Sequence, residues 1–242
     1  MTRTEPRSQR YIGVVVPAHN EEDHLGPCLT SILVAAESAR SMGYRVEVVV
    51  VLDRCTDRTA ARVPTSAGWP RIRVLSCRQG GVGAARDDGM RSLIRRYPTD
   101  RLWLASTDAD SLVPVDWLTA QLTHHANGAE VVAGTVQVRD WSEHQPDVVD
   151  RYLLGYRHEP GHGHVHGANL GLSANAYLRA GGFPRVTEHE DVGLIATVSR
   201  LNLPMVWVAD LPVITSARRH NRAPGGFAGH LRALAAEVAD VG

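Results

Sequence analysis

The chain has 242 residues, 43% of them hydrophobic, which is enough for one α/β domain with a buried core and short for two. Lysine plus arginine number 26 and aspartate plus glutamate number 26, a balance that argues against a general nucleic-acid or membrane-surface binder but leaves room for a local basic pocket. Three widely spaced cysteines, Cys28, Cys55 and Cys77, with no CxxC pair, argue against a disulfide framework or a cysteine zinc site and point to a cytoplasmic setting.

Residues 1–10 (MTRTEPRSQR) are polar and carry no hydrophobic signal region. No apolar run exceeds strand length, so no transmembrane segment is expected, while peripheral membrane contact stays open. Tyr11 to Val16 reads as a first strand that Pro17 stops. Asn20 is placed to cap the next helix, with Glu21, Glu22 and Asp23 at its positive end. Leu25, Leu29, Ile32, Leu33 and Ala36 repeat at helical spacing up to Gly43. Val46 to Leu52 has almost no polar alternation, the pattern of a parallel strand covered on both faces. Then come a strand at Ile72 to Leu75, a helix at Ala84 to Tyr97, a strand at Leu102 to Ser106, a helix at Asp116 to Ala126 and a strand at Val131 to Val138. The second half is looser. It holds a helix at Pro146 to Arg157, a glycine–histidine stretch at Gly161 to Gly167 and a helix at Asp191 to Leu201. Short strands at Met205 to Val208 and Val213 to Thr215 and a closing helix at Phe227 to Val241 complete the chain. No internal repeat or long linker interrupts this alternation.

The polar motifs fall at strand ends, where open α/β sheets bind ligands. Asp108-Ala109-Asp110 follows the strand LWLAS. Two carboxylates one residue apart suit a hard divalent cation that also holds phosphates; the plainer reading is an acidic turn. Asp53 ends VVVVL and can accept hydrogen bonds from a nucleobase or ribose, while Thr56 or Asp57 can cap a helix after it. Gly80-Gly81-Val82-Gly83 lets backbone approach an anion, and Arg86 offers a fork of donors; by itself this is also an ordinary flexible loop. Glu188-His189-Glu190-Asp191 supplies either a general base or a charged helix start. His162, His164 and His166 would share one face of an extended strand, but flanking glycines and the lack of a nearby cysteine weigh against zinc. Arg218-Arg219-His220 returns late in the chain, as a basic patch or as donors to the Asp110 site.

Taken in order, VVVPAHNEE (14–22), VVLDRCTDRT (50–59), GGVGAARDDGM (80–90), STDADS (106–111), HGANLGLSANAYLRAGGFP (166–184) and EHEDVGL (188–194) resemble family 2 glycosyltransferases of the GT-A fold. The resemblance implies a single α/β domain with a mixed, Rossmann-like sheet flanked by helices. Residues 1–111 would be the nucleotide-binding half, 112–226 the acceptor-binding half, and 227–242 a C-terminal helix covering the acceptor or joining a homodimer. By position, Pro17, Ala18 and Glu21 would line the nucleotide pocket, Asp53 would bind the base, and Arg86 the nucleotide or diphosphate. Asp108 and Asp110 would form the metal motif, with Asp108 and Ala109 contacting the donor. Asp110 would be the more direct ligand of Mn2+ or Mg2+, with His220 completing the site. Gly167, Ala168 and Asn169 would touch donor sugar or acceptor, and Asp191 would be the catalytic base. Leu52-Asp53-Arg54 replaces the paired acids common in the family, and neither QxxRW nor transmembrane helices occur, which argues against a processive synthase. The expected activity is an inverting, metal-assisted transfer from a nucleotide-diphosphate sugar, UDP before GDP, to a small-molecule or lipid-linked acceptor. A nucleotidyltransferase would want a glycine-rich basic loop where Pro17 to Glu22 is acidic, and a non-catalytic nucleotide-sugar-binding protein would not need Asp191.

Overall fold

Uninterrupted valine-rich segments build the centre of the sheet. In the computed structural model, which describes residues 8–64, 68–77, 80–218 and 227–241, the first of these is β1 (Arg10–Ala18). It is followed by α1 (Leu25–Ser41), β2 (Tyr44–Asp53), β3 (Arg71–Cys77) and α2 (Val82–Ile94). Then come β4 (Leu102–Ser106), α3 (Trp117–Ala126), β5 (Val131–Val138) and α4 (Pro146–Gly155). The chain continues through β6 (Leu170–Ser173), α5 (Ala174–Arg179), α6 (Glu190–Arg200), β7 (Met205–Thr215) and α7 (Phe227–Val241). The strands lie in the order β3-β2-β1-β4-β6-β5-β7. Strands β1 to β4 are mutually parallel, β5 and β7 are parallel, and β6 runs antiparallel between β4 and β5.

The strand pleat explains why β2 needs no polar alternation. Val46, Val48 and Val50 point into one core with α1 and α3, while Val49 and Val51 point into the other with α2, α5 and α6. Each such valine, at most 2% exposed, stabilises the fold by roughly 1.5–3 kcal/mol. A third, small cluster of Tyr152, Ala217 and Leu231 joins α4 to α7. Among the described residues no helix is long and apolar enough to cross a membrane.

Three expectations are corrected and one strand is added. Pro17 lies within β1, paired with Val51, so the strand runs on to Ala18; a residue so near the strand end gives up little ladder by lacking an N–H. Asn20 does not cap α1. It adopts φ 55°, and its Oδ1 accepts the Thr56 N–H at 2.7 Å, while α1 starts five residues later after His24 N–H and Leu25 N–H bond back to the Glu21 carbonyl. The strand β6 was not legible: its four residues, LGLS, are too few for a period. The two short strands expected after residue 204 are one, β7, broken by a bulge between the pairs Gly134–Val208 and Val136–Val213.

Candidate active site

A cleft of about 840 Å³ opens at the C-terminal ends of β1, β2 and β4. That parallel block delivers Pro17 and Ala18, then Asp53, then Asp108 to Asp110, to one place. Asp53 is buried, and its carboxylate accepts the Gly81 N–H at 2.9 Å and Arg54 Nε at 3.0 Å. It thereby ties the glycine-rich loop to the sheet. Gly81 sits at φ 96°, a conformation that a side chain rarely tolerates, just where α2 begins. Asp57 does not stand at a helix cap, since Arg58 precedes the short 3-10 turn Thr59–Arg62; its carboxylate accepts the Thr59 and Glu22 N–H groups at 3.0 and 3.1 Å, and it is absent from the cleft wall.

Two arginines organise the carboxylates. Arg86 is 3% exposed; Nε donates to Ser106 Oγ at 3.1 Å, one terminal nitrogen bonds Glu190 Oε1 and the other Asp108 Oδ1. Sequence reasoning placed Arg86 on the nucleotide or diphosphate and missed this bridge, since no spacing signals a partner 104 residues away. Gly167 packs on the same guanidinium: a Cβ there would lie 2.5 Å from Arg86 Cζ. Arg218, after β7, grips Glu21 through two bonds of 2.7 and 2.8 Å and reaches Asp110 Oδ2 at 3.0 Å. Glu21 is buried, and its hydrogen bond to His24 raises that imidazole's pKa despite partial burial. Burial pushes the Asp110 carboxyl up to about 6; Arg218 opposes the rise, and Asp108 and Glu21 add to it.

A divalent cation fits this donor set in a limited way. Among the described residues no three His, Cys, Asp or Glu side chains converge as a metal cluster. Two carboxylates beside a substrate diphosphate are nevertheless what Mg2+ takes, and a cation there would offset the cost of burying the charged Asp110 carboxylate. His220 lies outside the described residues.

Across the cleft, Asp191 stands in the first turn of α6. Its Oδ2 accepts the Gly167 N–H at 2.7 Å, and its Oδ1 the Val192 N–H at 2.8 Å. Glu190, 4% exposed, turns inward to Arg86 instead. Gly167 and Ala168 line the cleft, but Asn169 stands behind its wall. It is 2% exposed, its Nδ2 donates to the Thr135 and Leu211 carbonyls at 2.8 and 2.6 Å, and its Oδ1 accepts Trp117 Nε1–H at 2.9 Å. Asn169→Ala is therefore expected to lower the melting temperature, at about 1–3 kcal/mol for each group left without its partner, with nucleotide affinity unchanged below the transition. Loss of affinity at full stability would return Asn169 to the ligand. The histidine trio forms no metal site: His162 Nδ1 accepts the His164 N–H at 2.9 Å, His164 Nε2 accepts the Arg157 N–H at 3.0 Å, and His166 Nε2 meets Tyr156 Oη at 2.7 Å.

Solved structures share this architecture. TarS 1–349 of S. aureus in complex with UDP-GlcNAc matches at 15% identity and TM-score 0.65, over 94% of this chain and 66% of that one. The mannosyltransferase PcManGT of Pyrobaculum calidifontis, with GDP-Man and Mn2+, matches at 17% identity and TM-score 0.63, over 98% of this chain and 77% of that one. Glucosyl-3-phosphoglycerate synthase of Mycobacterium tuberculosis, with Mn2+, UDP and phosphoglyceric acid, matches at 19% identity and TM-score 0.57, over 94% and 78%. The chain spans 65% of TarS 1–349 in its ligand-free form and 43% of TarS. No curated protein sequence matches it. The fold is thus GT-A, a mixed sheet flanked by helices in a single domain. The sequence model of Glycosyl transferase family 2 matches residues 13–177, and the chain belongs to that family of glycosyltransferases.

Proposed function

We propose that this glycosyltransferase moves a sugar, with inversion, from a nucleotide-diphosphate donor to an acceptor hydroxyl, using Asp191 as general base. One observation carries the reading: carboxylates from the ends of β2 and β4 face one cleft with Asp191, whose oxygen is held by the Gly167 N–H. Pro17, Ala18 and Asp53 would hold the nucleoside end, and Asp108 and Asp110 the diphosphate end with Mn2+ or Mg2+. The bound cation would neutralise charge developing on the departing diphosphate. The acceptor oxygen attacks the anomeric carbon, the bond from that carbon to the diphosphate oxygen breaks, and the hydroxyl proton passes to the Asp191 carboxylate. Arg218, already on Asp110, is the cation best set to meet a phosphate. Uridine is the first choice of base and guanosine the second; the nucleotides held by TarS, PcManGT and the synthase are of these two kinds.

The test is thermal stability with UDP, GDP, CDP and ADP, each with and without Mn2+. At a hundredfold excess over Kd, a ligand adds about 2.7 kcal/mol, or roughly 5–11 °C for a chain of this size. A manganese-dependent rise with one diphosphate, absent in Asp110→Ala, is the expected result. No rise with any of the four would sink the donor assignment.

A further inference from the structure

The same cleft is also walled by α4, α7 and residues 164–166, and there its chemistry changes. Tyr152, 4% exposed, stacks on Tyr156 at 5.2 Å and meets Phe227 edge-on at 5.5 Å. Tyr156 lies almost parallel to His164, 4.2 Å away at 3°. Its hydroxyl accepts the Val136 N–H at 2.9 Å and pairs with His166, which pins the column of rings to β5. Leu234 of α7 adds an aliphatic face. A ring nitrogen that accepts a backbone N–H holds no proton there, so His162 and His164 are uncharged as they stand, and burial also lowers both pKa values. Of the charged side chains of α4, Arg151 lines the cleft; it is 62% exposed and faces Glu237 at 3.9 Å.

We propose that this chamber is the acceptor subsite and that it takes an uncharged, ring-bearing alcohol, a phenol or an alicyclic alcohol. Its skeleton packs on Tyr152, Phe227 and Leu234, and its hydroxyl meets Asp191. The assignment rests on the transfer reading above. Among the described residues this wall places no buried cation, so a phosphorylated or carboxylated acceptor would lose its hydration against it without replacement. A long lipid chain is also a poor fit, because the whole cleft is about 840 Å³ and the donor takes its own share. The apolar side chains Leu153 and Leu154, 49% and 87% exposed, turn away from the chamber wall that Tyr152 and Gly155 form.

The experiment measures binding of 2-naphthol to the full chain with saturating UDP and Mn2+, beside methyl glucoside, 3-phosphoglycerate and phosphatidylglycerol vesicles. Naphthol is expected to bind, to bind at least tenfold more weakly to Leu234→Asp and to Gly155→Phe, and to be unaffected by Leu154→Ser. Gly155 lines the cleft and a Cβ there meets nothing within 4 Å, so Gly155→Phe adds a ring at the chamber wall without overpacking or burying charge, and an unchanged UDP shift shows that each variant is folded. UDP binding without naphthol binding overturns the inference alone, as does naphthol binding that ignores both chamber variants. Tighter binding of 3-phosphoglycerate or methyl glucoside, or vesicle binding lost in Leu154→Ser, overturns it in favour of an anionic, sugar or lipid acceptor. Naphthol binding without UDP binding overturns the acceptor role through the donor reading and leaves an apolar site.

Discussion

Asp191→Asn is expected to slow sugar transfer about 10²–10⁴-fold, the usual contribution of a positioned general base, with nucleotide affinity unchanged. The substitution is close to isosteric. An amide oxygen can still accept the Gly167 N–H that now bonds Oδ2 at 2.7 Å, and the bond given up is the one from the neighbouring Val192 N–H. What disappears is a carboxylate that can take the acceptor proton. The position suits a negative group, because it lies at the positive end of α6, where Oδ1 already accepts the Val192 N–H at 2.8 Å. Glu190 cannot stand in, being buried on Arg86. Single-turnover rates beside nucleotide titration decide the matter. Transfer at the parent rate with binding intact would move the base elsewhere, Glu188 being the next carboxylate on the cleft wall.

The second large effect is on stability. Arg86→Met is expected to cost about 3–5 kcal/mol, because it strands Glu190 as a buried, uncompensated carboxylate. That corresponds to a fall in melting temperature of roughly 6–20 °C for a chain of this size. Met keeps much of the side-chain volume, so the loss reports charge more than cavity. Adding Glu190→Gln should recover part of it, and the non-additivity measures the coupling of the pair. Asp108, with its side chain 35% exposed, needs the arginine less, since water already screens it. An Arg86→Met chain as stable as its parent but unable to bind a diphosphate would show that the guanidinium serves the ligand and not the fold.

The sequence made the strand–helix alternation legible because buried parallel strands and amphipathic helices write their periods directly, as Val46 to Leu52 does. It made Asp53, Asp108, Asp110 and Asp191 legible as candidates because each ends or begins such an element. It could not supply partners. The Arg86–Glu190 pair and the Arg218–Glu21 pair join residues 104 and 197 apart, and only the sheet order brings them together. Asn169 misled for the opposite reason. It adjoins two cleft residues, but the turn at Gly167–Asn169 rotates it into the core. The alternating histidines already read as poor zinc ligands beside their glycines, and the backbone N–H groups of Arg157 and His164 occupy a nitrogen each on His164 and His162.

The contact between Gly167 and the Arg86 guanidinium also limits how this chain can diverge. A side chain at 167 would have to push the Arg86 guanidinium off Ser106, Glu190 and Asp108, so substitutions there are disfavoured while the arginine keeps those partners. Once the arginine is lost, the bar is lifted, but only in a background already burdened by an unneutralised Glu190. The accessible order of change is therefore carboxylate first, arginine second, glycine last, and a lineage that starts at the other end meets a barrier at its first step.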